Sequence, residues 1–170
     1  WIAALWRESV MDRFIAALQA LATRYNGNSR LELVTWSESA VSFASTPADY
    51  SKAAYAGQLS RLYAAAKTAF PNTNVGASLN FLSGELTGLL EGAYQEGIGV
   101  DGQDAIEDTK LTHLFRGETV TGEQPPPRDY RGLVPYDIVV SNRSIQPTHA
   151  DYNGPPANLI NWAQTNSVSH

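Results

Sequence analysis

Leu31-Glu32-Leu33-Val34-Thr35-Trp36-Ser37-Glu38 is the stretch that decides how this chain is read. Its leucines, valine, threonine and tryptophan make an apolar run of β-formers, the pattern of a buried strand. Helical patterns stand on both sides of it. Its last residue, Glu38, is a carboxylate. In a repeated β/α chain the carboxyl ends of the strands are where the chemistry is done. Glu38 is therefore the first candidate site residue.

Upstream, Val10, Phe14, Leu18, Leu21 and Tyr25 recur at three- and four-residue steps and predict a helix over Trp6–Tyr25. Asn26-Gly27 stops it. Downstream, Thr46-Pro47-Ala48-Asp49 offers an N-cap, a proline at the first helical position and an acid in the first turn. The helix it opens presents Tyr55, Leu59, Leu62, Tyr63, Ala66 and Phe70 on one face and stops at Pro71. Aromatic residues at that spacing are packing against a sheet. Asn74–Leu82 reads as a second strand. Ser83 caps a third helix, with Leu86, Leu89, Leu90, Ala93 and Tyr94, that ends at Gly97.

Ile98-Gly99-Val100 is a short third strand stopping at Asp101. From Asp101 to Val134 the chain turns polar and holds Pro125-Pro126-Pro127, with one short helix expected near Leu111–Phe115. A connection this long is functional or an excursion. Tyr136–Ser141 is a fourth strand, and a last helix runs from about Pro155 to Gln164, with Asn153 as a cap.

Strands alternating with helices mean parallel βαβ units. A doubly wound open sheet and a (β/α)8 barrel compete. No glycine-rich phosphate loop follows any strand, which weakens a nucleotide-binding sheet. The chain opens on Trp1, its sole methionine is Met11, and it stops where a further strand is due. The expectation is one α/β domain over 1–170, a partial barrel truncated at both ends. Four strands make half of a barrel of roughly 250 residues or more.

Composition narrows the function classes. Hydrophobic residues are 43% and charged residues 17%, which places the chain among globular proteins. The net charge of −5, without a Lys/Arg cluster, argues against a nucleic-acid partner. No apolar run approaches the roughly 18 residues of a membrane helix. The absence of cysteine removes disulfides, thiolate nucleophiles and Cys-ligated zinc but leaves the compartment open.

Several motifs together resemble the middle of glycoside-hydrolase-like TIM barrels of bacterial and phage proteins. They are the tryptophan-rich helix lead-in, the Asn26-Gly27 stop and the Leu-Glu-Leu-Val strand ending near Glu38. Tyr50-Ser51-Lys52-Ala53-Ala54-Tyr55, Phe70-Pro71-Asn72-Thr73-Asn74-Val75, Leu79-Asn80-Phe81-Leu82 and Gly97-Ile98-Gly99-Val100-Asp101-Gly102-Gln103-Asp104 complete the set. The resemblance covers most of the chain at pattern level, and no single motif is diagnostic. It implies hydrolysis of O-glycosidic bonds in a poly- or oligosaccharide, with Glu38 as general acid/base at the end of the fourth barrel strand. It implies a carbohydrate substrate, no cofactor and the remainder of the barrel from the same full-length chain; it is compatible with an extracellular or phage-associated setting and leaves the localisation unknown. The family's nucleophile is a glutamate closing the seventh strand. Here the corresponding strand ends in Ser141-Asn142-Arg143, and Ser37 stands where an asparagine usually precedes the acid/base. A non-catalytic carbohydrate-binding or structural barrel is therefore the alternative.

Glycoside hydrolysis needs two carboxyl groups across the scissile bond. Glu38 is one; its plainer role is a loop glutamate in a cap or salt bridge. Asp101 and Asp104 are candidates for the second, with glycines permitting a tight turn around Asp101; the plainer role is an Asx turn. Gln103 between them, Asn80 and Asn142 at strand ends, and His149 after the fourth strand are candidates for substrate hydroxyls. Trp36 offers either a sugar-stacking ring or core filling. The acids Asp101, Asp104, Glu107 and Asp108 lack calcium-loop spacing, and His113, His149 and His170 lack metal-ligand spacing, so no metal is expected. No Gly-x-Ser-x-Gly elbow points to an esterase. Lys52 and Lys67 fall on helices and Lys110 in the long connection, which leaves no strand lysine for a Schiff-base lyase or aldolase.

Overall fold

A computed structural model of the chain describes residues 3–36, 38–102, 110–138, 148 and 155–168. Its elements are α1 (Glu8–Tyr25), β1 (Leu33–Thr35), α2 (Lys52–Ala69), β2 (Asn74–Ser78), α3 (Leu86–Glu96), β3 (Gly99–Gly102), α4 (Lys110–Phe115), β4 (Tyr136–Ile138) and α5 (Pro156–Thr165). The strands form a parallel sheet in chain order, β1-β2-β3-β4. Beyond α5 the chain returns to β4 in the same sense, with a parallel bridge between Tyr136 and Val168.

Parallel neighbours in chain order need crossovers of one hand, which put successive helices on the same face. The packing follows that rule: α1 lies on α2, α2 on α3 and α3 on α4. The core is the layer between this row and the sheet. Leu59, Leu62, Tyr63, Ala66 and Phe70 of α2 and Leu86, Leu89, Leu90 and Ala93 of α3 meet Val75, Ala77, Val100 and Tyr136 of the strands. Each buried leucine or valine contributes about 1.5–3 kcal/mol, so α2 is held by tertiary packing. Among the described residues, the opposite face of the sheet carries no helix row. There Leu33 is 44% exposed. A cavity of about 380 Å³ runs along it, walled in part by Leu33, Thr35, Gly76, Gly99, Asp101 and Asp137.

The elements match the periodicities, but their ends differ. Within the run over Leu31–Glu38, the described strand β1 covers Leu33–Thr35 and pairs with β2. β2 ends at Ser78, short of Leu82. α2 starts at Lys52 with Ser51 as its cap: the Ser51 hydroxyl accepts the Ala54 N–H at 3.1 Å. Thr46–Asp49 lies before it in a turn, and Asp49 is taken up by Arg7 at 2.5 Å and by the Trp6 indole at 3.3 Å. Ser83 does not cap α3, since its hydroxyl accepts from Lys110 Nζ at 2.7 Å. Glu123 does so from a distance, its carboxylate accepting the N–H groups of Gly84 at 2.8 Å and Leu86 at 3.2 Å. Gly97 ends α3 in the left-handed conformation, φ 66°, as a C-terminal glycine should.

The excursion after α4 is a strap on α3. Besides Glu123, Thr87 donates to the Gln124 carbonyl at 2.7 Å and the Tyr130 hydroxyl to Glu91 at 2.6 Å. Arg128 lies 4.5 Å over the Tyr94 ring. Asn153 and Val139–Ser141 fall outside the described residues. α5 begins after Pro155 without a side-chain cap.

Candidate active site

Side chains at matching register on neighbouring parallel strands point to the same face. Ser78 of β2 stands opposite Asp101 of β3, and Asp101 opposite Asp137 of β4. One row at the carboxyl end of the sheet thus reads Ser-Asp-Asp, on the open face. Val100, Gly102 and Tyr136 alternate with it and are buried on the helix side. Gly102 is required there because a Cβ would lie 2.7 Å from the Tyr136 hydroxyl. The expected turn around Asp101 is thus corrected: Asp101 and Gly102 are both strand residues.

Asp101 is half-buried. The Ser78 hydroxyl donates to its Oδ1 at 2.8 Å. Burial pushes its pKa above the usual aspartate range; the Ser78 hydrogen bond opposes this, and the charges of Asp137 and Glu38 add to it. Two further acids therefore lie within electrostatic reach of Asp101, and its protonated form is favoured by both desolvation and like charge.

Glu38 follows β1 on the exposed rim. The chain beyond β1 crosses to the exit of β2, where the Ser39 N–H donates to the Ser78 carbonyl at 3.0 Å. Ser39 is 2% exposed, and its hydroxyl serves Asn80 twice: it donates to the Asn80 carbonyl at 2.6 Å and accepts the Asn80 N–H at 2.8 Å. The Asn80 side-chain oxygen accepts the Ala40 N–H at 3.1 Å. A backbone donor can only meet the amide oxygen, so the amide nitrogen is turned the other way. It donates to Glu38 Oε2. Asn80 lies two residues past the end of β2, and it orients the candidate carboxylate.

The structure thus brings Glu38, Asn80 and Asp101 to one end of the sheet. Trp36 goes elsewhere: its ring stacks on Tyr63 of α2, centroids 5.8 Å apart, and fills the helix-side core. Gln103, Asp104, Asn142 and His149 lie outside the described residues. Of the lysines, Lys52 and Lys110 are engaged at Ser83, Lys52 Nζ donating to its carbonyl at 2.9 Å. Among the described residues no group of three His, Cys, Asp or Glu is placed to hold a metal ion, and no helix is long and apolar enough to cross a membrane.

Asp137 was not legible as a site residue from strand ends, because it sits inside a strand. Its signal is alternation, an acid between the apolar Tyr136 and Ile138. Ser39 and Ser78 carry no sequence signal, since each acts through a partner brought by the fold. Comparison of the chain with protein-family models, curated proteins and solved structures gives no match in any of the three.

Proposed function

We propose that this chain forms part of a (β/α)8 barrel that hydrolyses O-glycosidic bonds of a poly- or oligosaccharide, with Asp101 and Glu38 as its two carboxyl groups. The carrying observation is Asp101, half-buried at a strand's carboxyl end with its pKa raised in the field of Glu38 and Asp137. The chain-order parallel sheet, with α1 to α4 packed in one row among the described residues, supports the barrel. So does the return of Val168 to β4, which is where a fifth strand belongs.

Glycosidases separate their two carboxyls by environment, one kept protonated and one not. Asp101 suits the proton donor, because burial and the neighbouring acids shift its pKa upward. Glu38, exposed and oriented by the Asn80 amide, suits the base or nucleophile. This reverses the role the family resemblance implies for Glu38 and keeps it in the pair.

Release of reducing ends from a panel of soluble polysaccharides tests the reading. Glu38→Gln and Asp101→Asn should each lower turnover by about a hundredfold or more, the scale of general acid–base catalysis. Full turnover in either variant removes that residue from the pair. Glycan binding by the wild type with no product release favours the non-catalytic barrel.

A further inference from the structure

Phe81 is the most exposed large hydrophobic residue among those described, at 69%. Its neighbours are the reverse: Leu79 and Leu82 are each 1% exposed and Asn80 8%. Its backbone has φ 49°, in the left-handed region that bulky L-residues avoid. A four-residue loop therefore buries three side chains and turns its one aromatic ring outward through an unfavourable backbone conformation.

The loop holds that conformation through its anchors. The Leu79 N–H donates to the Asp101 carbonyl at 3.1 Å. Asn80 is pegged at both backbone groups by Ser39, and Ser83 is held by Lys52 and Lys110. Strain that the surroundings over-determine is concentrated at sites that bind or react. In the chain Phe81 follows Asn80, whose amide holds Glu38.

We infer that Phe81 is a pre-set stacking platform for a sugar ring, forming a binding subsite on the rim loop whose Asn80 holds Glu38. The inference rests on the carbohydrate reading above and adds the residue that grips the substrate. The faces of a pyranose ring present C–H groups, and an exposed aromatic face covers them at little conformational cost, since the phenyl group has two torsions and its backbone is already fixed. The hydroxyls at the sugar's edge remain free for the carboxylates.

The test is an NMR titration of the full chain with cellohexaose, chitohexaose, xylohexaose and maltohexaose, paired with thermal unfolding. Phe81→Asn removes the ring and tolerates positive φ. Its Tm should equal or exceed that of the wild type, while affinity for the bound oligosaccharide falls about tenfold. Phe81→Trp should bind within about threefold of the wild type. Unchanged affinity in Phe81→Asn overturns the subsite and leaves the carbohydrate reading standing. A wild type that binds none of the four overturns both. A Tm lowered by more than a few degrees in Phe81→Asn marks the residue as a packing element and also overturns the proposal.

Discussion

Replacing Ser39 by alanine removes one oxygen atom and leaves two buried backbone groups without partners. In the wild type that oxygen donates to the Asn80 carbonyl and accepts the Asn80 N–H, at 2.6 and 2.8 Å, in a residue 2% exposed. A buried polar group stripped of its partner costs about 1–3 kcal/mol. With two such groups, and some relief from relaxation, Ser39→Ala should lose about 2–4 kcal/mol. That is a large part of the roughly 5–15 kcal/mol that keeps a domain folded. At about 2–4 °C per kcal/mol for a chain of this size, Tm should fall by about 5–15 °C. Circular dichroism melts give the stability, and hydrogen exchange at the Asn80 amide gives the local effect. That amide should exchange faster even where the core amides of α2 do not. A loss below about 0.5 kcal/mol with unchanged exchange at Asn80 would refute the reasoning, since the peg would then hold nothing.

Two further outcomes follow from the same contacts. Because the folded pKa of Asp101 is raised, its favourable contribution exists in acid and is lost as pH rises through the raised value. Asp101→Asn, which keeps an acceptor for Ser78, should therefore melt higher than the wild type at pH 7. The gap should close below about pH 4; a variant less stable than the wild type at pH 7 contradicts the raised pKa. Glu123→Ala uncaps α3 and should cost about 1–2 kcal/mol, seen as a lower denaturant midpoint with an unchanged slope. An unaltered midpoint would mean that water caps the helix as well as Glu123 does.

The helices were legible because their signal is long. Five apolar residues of α2 and Phe70 at its C-cap repeat over four turns, and all six are buried as the pattern requires. Gly97 and Pro71 punctuate helices by their own backbone chemistry, so they too read correctly. Strand ends and caps were less legible because each is settled by a competition between neighbours. Ser51, not Thr46, caps α2, since the helix starts at Lys52 and the Ser51 hydroxyl accepts the Ala54 N–H. Ser83 loses the cap of α3 to Glu123, 37 residues beyond Leu86. Of the candidate site, the placement of Glu38, Asp101 and Asn80 at or near strand ends was legible. Trp36 went to the core because the strand pleat aims it at Tyr63. Asp137 and Ser39 emerge only once register sets strands beside one another.

The remote cap on α3 also bears on the order in which this protein takes shape. A ribosome delivers β1, the rim loop and α3 before it delivers Glu123. Until that carboxylate docks, the N–H groups of Gly84 and Leu86 at the opening of α3 lack their acceptor. Loop closure over this distance costs entropy before any contact repays it. The rim that carries Asn80 and Phe81 is therefore a late-maturing part of the domain, and the strap is what completes it.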